Sequence, residues 1–224
     1  MSAPLTGVKA VLFDLDGTLL DSAPDLGFAA NQLRATRGMP PLPQSDYRPF
    51  VGTGARGMLR IALSTSQDAA DFEALKEEFF LAYEACMGQH SQVFAQAPAM
   101  LRALQSHGLA WGIVTNKSQR FTLPIVQSTP QLAAAQAVVC GDTTPHAKPH
   151  PAPLVEAAKR LGVAPEHCIY VGDDERDIIA GRAAGMRTVA AAYGYLGGTD
   201  DVAVWKPDCT INSPAELLQL LGLV

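Results

Sequence analysis

Val8-Lys9-Ala10-Val11-Leu12-Phe13-Asp14-Leu15-Asp16-Gly17-Thr18 sets an apolar run against two carboxylates, at the point where the run breaks into a glycine turn. Short apolar runs of this kind read as strands buried on both faces of a parallel sheet. Open parallel sheets bind ligands in the crevice beyond the carboxyl ends of their strands. Two acids placed there repel each other unless a cation or a shared proton neutralises them. A divalent metal is the natural counter-ion, and oxygen ligands of this type suit magnesium. The plain alternative is a strand-ending turn with two solvated acids.

The same pattern returns downstream. Leu109 to Asn116, Ala137 to Asp142, Cys168 to Asp174 and Arg187 to Tyr193 are apolar runs closed by polar residues, and Asp208 to Asn212 is a weaker case. Helical stretches separate them. Pro98 to Gln105 carries one apolar face and ends near Gly108. Leu154, Ala157, Ala158 and Leu161 recur at helical spacing, with Gly162 as the stop. Ile178 to Ala184 is closed by Gly185, and Ser213-Pro214-Ala215-Glu216 combines a capping box with proline at the first helical position. Alternation of this kind predicts βα repeats with right-handed crossovers, hence an α/β fold with a doubly wound, Rossmann-like parallel sheet.

Between Leu19 and Ala95 the alternation stops. Leu26, Ala29, Ala30 and Leu33 make one helical stripe, followed by Gly38 and Pro40-Pro41-Leu42-Pro43. Phe72, Leu75, Phe79, Tyr83 and Cys86 make another, and a shorter helix is expected over Ala55 to Leu63 after Gly52-Thr53-Gly54. No strand is expected here. The division is therefore a core of residues 1–18 plus 96–224 and an inserted all-helical cap of residues 19–95, with hinges near Leu19–Asp21 and Gln96–Pro98. A helical insertion attached directly after the acidic turn stands where a lid would attach.

Composition narrows the function classes. The 224 residues are 48% hydrophobic, and no apolar run approaches a membrane span. Lys plus Arg number 17 against 22 Asp plus Glu, a net charge of −5, and no basic run suggests a nucleic-acid footprint. Met1 to Thr6 has neither the basic end nor the apolar centre of a signal peptide, so a cytoplasmic location is expected. Cys86, Cys140, Cys168 and Cys209 form no C-x-x-C pair, and Cys140 and Cys168 fall in strand-like runs, which predicts buried reduced thiols.

The polar residues at successive strand ends are Asp14 and Asp16, then Thr115-Asn116, then Lys148, then Asp173-Asp174 with Asp177. Each type has its own job in phosphoryl chemistry. A carboxylate can act as nucleophile and carry an aspartyl-phosphate. A second acid can protonate the leaving alkoxide and then activate water. Hydroxyl and backbone N–H groups near Thr115 can hold phosphate oxygens. Lys148 can offset charge, and Asp173 can complete a magnesium site. Taken singly these are weak signals, since Thr115 could be a strand-end residue, Lys148 a solvated loop lysine and Asp173-Asp174 a helix cap.

Taken in order, they resemble the haloacid dehalogenase superfamily of phosphohydrolases over nearly the whole chain. Asp14-Leu15-Asp16-Gly17-Thr18 matches the D-x-D-G-T element, Thr115-Asn116 the threonine site, Lys148-Pro149 the lysine site, and Gly172-Asp173-Asp174-x-x-Asp177 the final acidic site. The resemblance implies Asp14 as nucleophile, Asp16 as general acid/base, Thr115 as phosphate binder and Lys148 as charge neutraliser. It implies magnesium held by Asp14, the Asp16 backbone carbonyl and Asp173. Asp177 would act through a water or by orienting the lysine, and Asp174 would stand in the surrounding shell. Gly7–Ser22, Val51-Gly52-Thr53-Gly54, Val114-Thr115-Asn116-Lys117 and Tyr170–Gly185 look like the phosphoglycolate phosphatase group. Gly54-Ala55-Arg56-Gly57-Met58, Trp111-Gly112-Ile113-Val114 and Ala192-Tyr193-Gly194-Tyr195 look closer to its N-acetylmuramate 6-phosphate phosphatase branch.

The resulting expectation is a magnesium-dependent phosphomonoesterase acting on a small phosphorylated metabolite, as a monomer or homodimer. Asn116, Gly54 and Arg56 join Thr115 and Lys148 as candidate substrate contacts, Arg56 through bidentate pairing with a carboxylate. A sugar phosphomutase on the same scaffold is the alternative, and a phospho-aspartate signalling receiver is a remote one. His146 and His150 are expected as plain loop histidines, because Pro149 breaks any helix that would align them on a metal. Glu77-Glu78 reads as a solvated helix face, and Tyr193 to Gly198 as a mobile loop.

Overall fold

The structure is a computed structural model and describes residues 5–199 and 201–223. Met1 to Pro4, most of the stretch read for a leader, lie outside the described residues. In chain order the first elements are β1 (Ala10–Phe13), β2 (Leu20–Asp21), α1 (Ala23–Ala35), α2 (Gln44–Tyr47), α3 (Gly54–Leu63), α4 (Phe72–Cys86) and β3 (Gln92–Val93). Then follow α5 (Ala97–Ser106), β4 (Ala110–Val114), α6 (Gln119–Ser128), β5 (Ala137–Val139) and α7 (Ala152–Leu161). The chain closes with β6 (Cys168–Gly172), α8 (Glu175–Ala183), β7 (Arg187–Ala191), β8 (Cys209–Ile211) and α9 (Glu216–Leu220).

Six strands form one sheet in the order β5-β4-β1-β6-β7-β8, every neighbouring pair parallel. The β1 side chains alternate between the two faces. Val11 and Phe13 join one apolar cluster and Ala10 and Leu12 another, all at most 1% exposed. Because helices cover both faces, the strand reads as an unbroken apolar run, and polar residues are left for its end. From β1 the chain runs outward to β4 and β5, then crosses back to lay β6 on the other side of β1. The ends of β4, β1 and β6 therefore meet at the reversal of strand order, where doubly wound sheets bind ligands.

Between β1 and α5 the chain is mostly helical. The α1 stripe of Leu26, Ala29, Ala30 and Leu33 is buried against α4, where Phe79, Tyr83 and Cys86 are also buried. Asp25, at 0% exposure on α1, is satisfied by N–H groups of Gly88 and His90 (both 2.8 Å) and by the Ser91 hydroxyl, which pins the turn after α4.

Several local expectations change. The helical segment carries two strand residues at each end, Leu20–Asp21 paired antiparallel with Gln92–Val93, so a short ribbon ties its two connections together. Gly52-Thr53 lies in a 3₁₀ turn over Arg48–Thr53, and Gly54 opens α3. The Ser213 capping box does not form. Glu216 accepts the Asn212 N–H at 2.9 Å, and no side chain caps α9. The capping box that does form is at α8: the Asp174 side chain caps the first turn, and Asp177 accepts the Asp174 N–H at 3.1 Å. Gly162 ends α7 in the left-handed region, as read from the sequence. Cys86, Cys140 and Cys168 are buried free thiols, and no helix among the described residues is long and apolar enough to cross a membrane.

Candidate active site

Asp14 follows β1 directly, with its own N–H donated to the Val171 carbonyl of β6 at 2.9 Å, so sheet pairing fixes its backbone. Asp14 Oδ1 accepts the Leu15 N–H at 2.7 Å and lies 3.0 Å from Lys148 Nζ. Asp14 Oδ2 accepts no hydrogen bond among the described residues. Lys148 is 5% exposed and donates to Asp177 Oδ1 (2.7 Å), the Tyr170 hydroxyl (2.8 Å) and the Val114 carbonyl (3.2 Å). Burial would lower the Lys148 pKa, but the charges of Asp14 and Asp177 outweigh it and hold the ammonium above its ordinary value.

Asp173, at the end of β6, is 3% exposed and accepts from the Thr18 hydroxyl (2.9 Å) and the Tyr195 N–H (2.8 Å). Two glycines make room for it. A Cβ on Gly17, whose φ is +83°, would fall 2.1 Å from Asp173 Oδ2, and one on Gly194 would fall 2.2 Å from Asp173 Cβ. Asp14, Asp173 and Asp177 each place a carboxylate oxygen within 4.8 Å of the others. Burial, reinforced by the neighbouring acids, pushes Asp173 well above the usual carboxylate range, and burial pushes Asp14 up to about 7 despite Lys148. An all-oxygen cluster under that electrostatic load fits a hard divalent cation. Both oxygens of Asp177 are already engaged, Oδ1 by Lys148 and Tyr170 and Oδ2 by the Asp174 N–H, which favours Asp14 and Asp173 as direct ligands.

The Asp16 carboxylate turns away from that cluster. It accepts the Ser22 hydroxyl at 2.5 Å, and both its oxygens pair with Lys117 Nζ at 3.0 and 3.1 Å. The two acids of the opening motif thus occupy different environments. Thr115 is 2% exposed, and its Oγ1 accepts the Lys117 N–H at 3.2 Å. The Asn116 amide donates to the Lys148 carbonyl and accepts the Lys148 N–H, both at 2.9 Å, so it clamps the lysine loop while also lining the cavity. Asp174 pairs with Arg176 at 2.7 Å, and Arg176 reaches on to the Gly52 carbonyl. Burial would raise Asp174, but that pairing holds it below its ordinary value.

A cavity of about 430 Å³ lies over these strand ends, roofed by the helical segment. Gly54 and Arg56 line it. Arg56 is exposed, with a 3.4 Å contact to Gln67 Oε1. His146 and His150 stand exposed with ring centroids 4.5 Å apart, outside any cluster of metal-ligating groups among the described residues. Glu77 is exposed and Glu78 partly so, as a solvated helix face requires, and both are ion-paired there. Glu77 pairs with Arg120 of α6 and Glu78 with Arg37. The Tyr193–Gly198 stretch is tied in rather than loose: Tyr193 donates to the Thr18 carbonyl (2.9 Å), and the Tyr195 hydroxyl accepts the Ser22 and Ala23 N–H groups and donates to Asp21.

Lys117, Ser22, Tyr195, Tyr170 and Thr18 fall inside the quoted motifs, but the sequence assigns none of them a role of its own. Lys117 follows the threonine site immediately, and that adjacency was the one signal available.

Comparison with known proteins agrees with this geometry. Residues 11–191 match the family described as haloacid dehalogenase-like hydrolase, and the chain belongs to that family. It is 48% identical over 212 residues to a phosphoglycolate phosphatase of Xanthomonas campestris pv. campestris, covering 93% of this chain and 94% of that one. It is 40% identical over 214 residues to an N-acetylmuramic acid 6-phosphate phosphatase of Pseudomonas aeruginosa, covering 96% and 95%. A crystal structure of a predicted phosphoglycolate phosphatase from Haemophilus somnus superposes with a TM-score of 0.85 at 28% identity, covering 96% of this chain and 99% of the other.

Proposed function

We propose that this chain is a magnesium-dependent phosphomonoesterase acting on a small-metabolite phosphate through an aspartyl-phosphate on Asp14. The observation that carries the reading is the division of labour between the two acids of one turn. Asp14 faces Lys148 and the acid cluster with Oδ2 free, whereas Asp16 stands apart beside Ser22 and Lys117.

In the first half-reaction Asp14 Oδ2 attacks phosphorus, the bond to the ester oxygen breaks, and Asp16 gives that oxygen a proton. In the second, Asp16 takes a proton from water, whose oxygen attacks phosphorus and releases phosphate and free Asp14. Thr115 and the N–H groups after it hold the phosphate oxygens, and Lys148 favours the ionised form of Asp14 against burial and offsets charge on the phosphate. Asp14, the Asp16 backbone carbonyl and Asp173 would hold magnesium, with Asp177 orienting Lys148. When bound, the metal supplies positive charge that neutralises the acids and the phosphate oxygens.

Residues 1–18 and 96–224 form the catalytic core, and residues 19–95 a cap that excludes water over the cavity. Relatives of both named activities make 2-phosphoglycolate and N-acetylmuramate 6-phosphate the substrates to try first. The cavity volume lies within the range of roughly 300–1,000 Å³ usual for small-molecule sites. The test is phosphate release with magnesium from both esters, compared by kcat/KM for the wild type and Asp14→Asn. Asp14→Asn is expected to fold and to release no phosphate. Substantial turnover by that variant refutes the covalent route, and accumulation of an isomeric sugar phosphate without free phosphate would make the protein a mutase.

A further inference from the structure

Arg176, in the first turn of α8, has its guanidinium held by two partners. Nε donates to Asp174 Oδ1 at 2.7 Å and Nη2 to Asp174 Oδ2 at 2.9 Å, the parallel fork that fixes the plane of an arginine. Nη2 also donates to the Gly52 carbonyl at 2.5 Å. Gly52 lies 124 residues away in the chain, in the 3₁₀ turn Arg48–Thr53. That turn leans on Leu196–Gly198, and Arg48 lies over the Tyr195 ring at 5.0 Å from its centroid. Among the described residues, Arg176 gives the one hydrogen bond that reaches the turn from outside residues 19–95.

The approach depends on glycine at position 52. A Cβ there would stand 3.3 Å from Asp174 Oδ2 and 3.4 Å from Arg176 Nη2, tight enough to push the turn off the fork by a few tenths of an ångström. Gly52, Gly54, Ala55 and Arg56 line the cavity from the helical segment, and Asp174, Arg176 and Asp177 line it from the end of β6. Asp174 gives its own N–H to Asp177 Oδ2, and Asp177 Oδ1 holds Lys148. A short chain of bonds therefore runs from the turn to the lysine beside Asp14. With Asp174 on one edge of the guanidinium and Gly52 on the remaining Nη2 proton, neither forked edge is left for a substrate anion.

We propose that Arg176 is a positioning residue: held flat by Asp174, it docks the Gly52 carbonyl and so sets the Gly52–Arg56 wall of the cavity against the strand ends. The proposal rests on the phosphomonoesterase reading and gives Asp174 a role in it, that of fixing Arg176.

The test is a double-mutant cycle in kcat/KM with magnesium, on the better hydrolysed of 2-phosphoglycolate and N-acetylmuramate 6-phosphate. Arg176→Gln and Gly52→Ala disturb the same contact from its two sides. Each is expected to lower kcat/KM about tenfold, and the double variant to fall no more than about twofold below Arg176→Gln. Losses that multiply, or a silent Gly52→Ala beside a damaged Arg176→Gln, overturn docking and make Arg176 a substrate contact. No loss in either single variant overturns it as well. A second measurement needs no substrate. Hydrogen exchange in residues 48–56 is expected to speed up in Arg176→Gln while β6 keeps its protection. Unchanged exchange there overturns the proposal, and so does a rise that extends to β6, which would mean lost folding and not lost docking. Failure of the wild type to hydrolyse either ester counts against the phosphomonoesterase reading, and the exchange measurement then decides the docking by itself.

Discussion

Lys148 Nζ lies 3.0 Å from Asp14 Oδ1, with the two side chains 3% and 13% exposed. The same ammonium reaches Asp177, so one buried cation serves two acids that would otherwise face each other unscreened. Removing one partner of a buried ion pair is costly because the other charge stays behind. Lys148→Met is expected to abolish phosphate release and to lower stability by about 3–5 kcal/mol at pH 8. The loss should shrink at pH 5.5, where the unpaired acids bind protons and become neutral. Thermal melts of both proteins at the two pH values check this, and an equal penalty at both would show that the lysine contributes packing and not charge.

Metal binding follows the same electrostatics. Burial raises the Asp14 carboxyl from its usual range to about 7 in the metal-free protein. A carboxyl raised on folding favours the folded state at low pH, and that contribution is lost as pH rises through about 7. The metal-free protein is therefore expected to lose stability between pH 5.5 and 8. On the proposed reading magnesium takes the ionised acids, so its stabilisation should be larger at pH 8 than at pH 5.5. Melting with magnesium and with EDTA at each pH gives the comparison. A magnesium-induced rise in Tm that is greater at the acidic pH would contradict this account of the cluster.

How far these features can be read from sequence depends on how each residue is positioned. Asp14, Thr115 and Asp173 were legible because they end strands buried on both faces, where a polar residue stands out against an apolar run. The α1 and α4 stripes were legible through their helical period. Tyr83 belonged to such a stripe, and its spacing matched core residues on either side of it. Phe79 of the same stripe lines the same cavity, and only Tyr83 stands beside Lys117. Lys117 has no periodic signature, and its partner Asp16 is 101 residues away in the chain. Asp174 and Asp177 could be read as cap or as site, and they form the cap while lining the cavity: the box that starts α8 also aims Asp177 at Lys148. The Ser213 box failed because Glu216 found the Asn212 N–H, a choice between neighbouring donors that local sequence leaves open.

Asn116 illustrates the difference between lining a site and contacting its ligand. Its amide oxygen and nitrogen both bind the Lys148 backbone, which is how the lysine loop is anchored to the end of β4. Asn116→Ala removes that anchor without touching a charge. A small displacement of a catalytic group can cost up to about 100-fold in rate, so kcat is expected to fall by roughly 10- to 100-fold with KM changed far less. Steady-state kinetics on the better of the two candidate esters separate the cases. A raised KM at unchanged kcat would make Asn116 a substrate contact instead.

Arg120 of α6 pairs with Glu77 (2.8 Å) and Glu84 (2.6 Å) of α4, its guanidinium centre 5.6 and 5.3 Å from the Phe80 and Phe121 ring centroids. Both rings line the cavity, so the pairing stands at its rim. The three charged groups are open to solvent, and salt weakens such pairs. Arg120→Gln is expected to leave Tm nearly unchanged, because exposed pairs add little to stability. It should lower kcat/KM about threefold at low ionic strength, since a looser rim closes less often over substrate. The difference should vanish as salt is raised, because screening releases the wild-type clamp as well. Kinetics of both proteins across a salt series test this. A defect that persists undiminished at about 1 M salt, where the screening length is about 3 Å, would mean that Arg120 acts through its packing on Phe80 and Phe121.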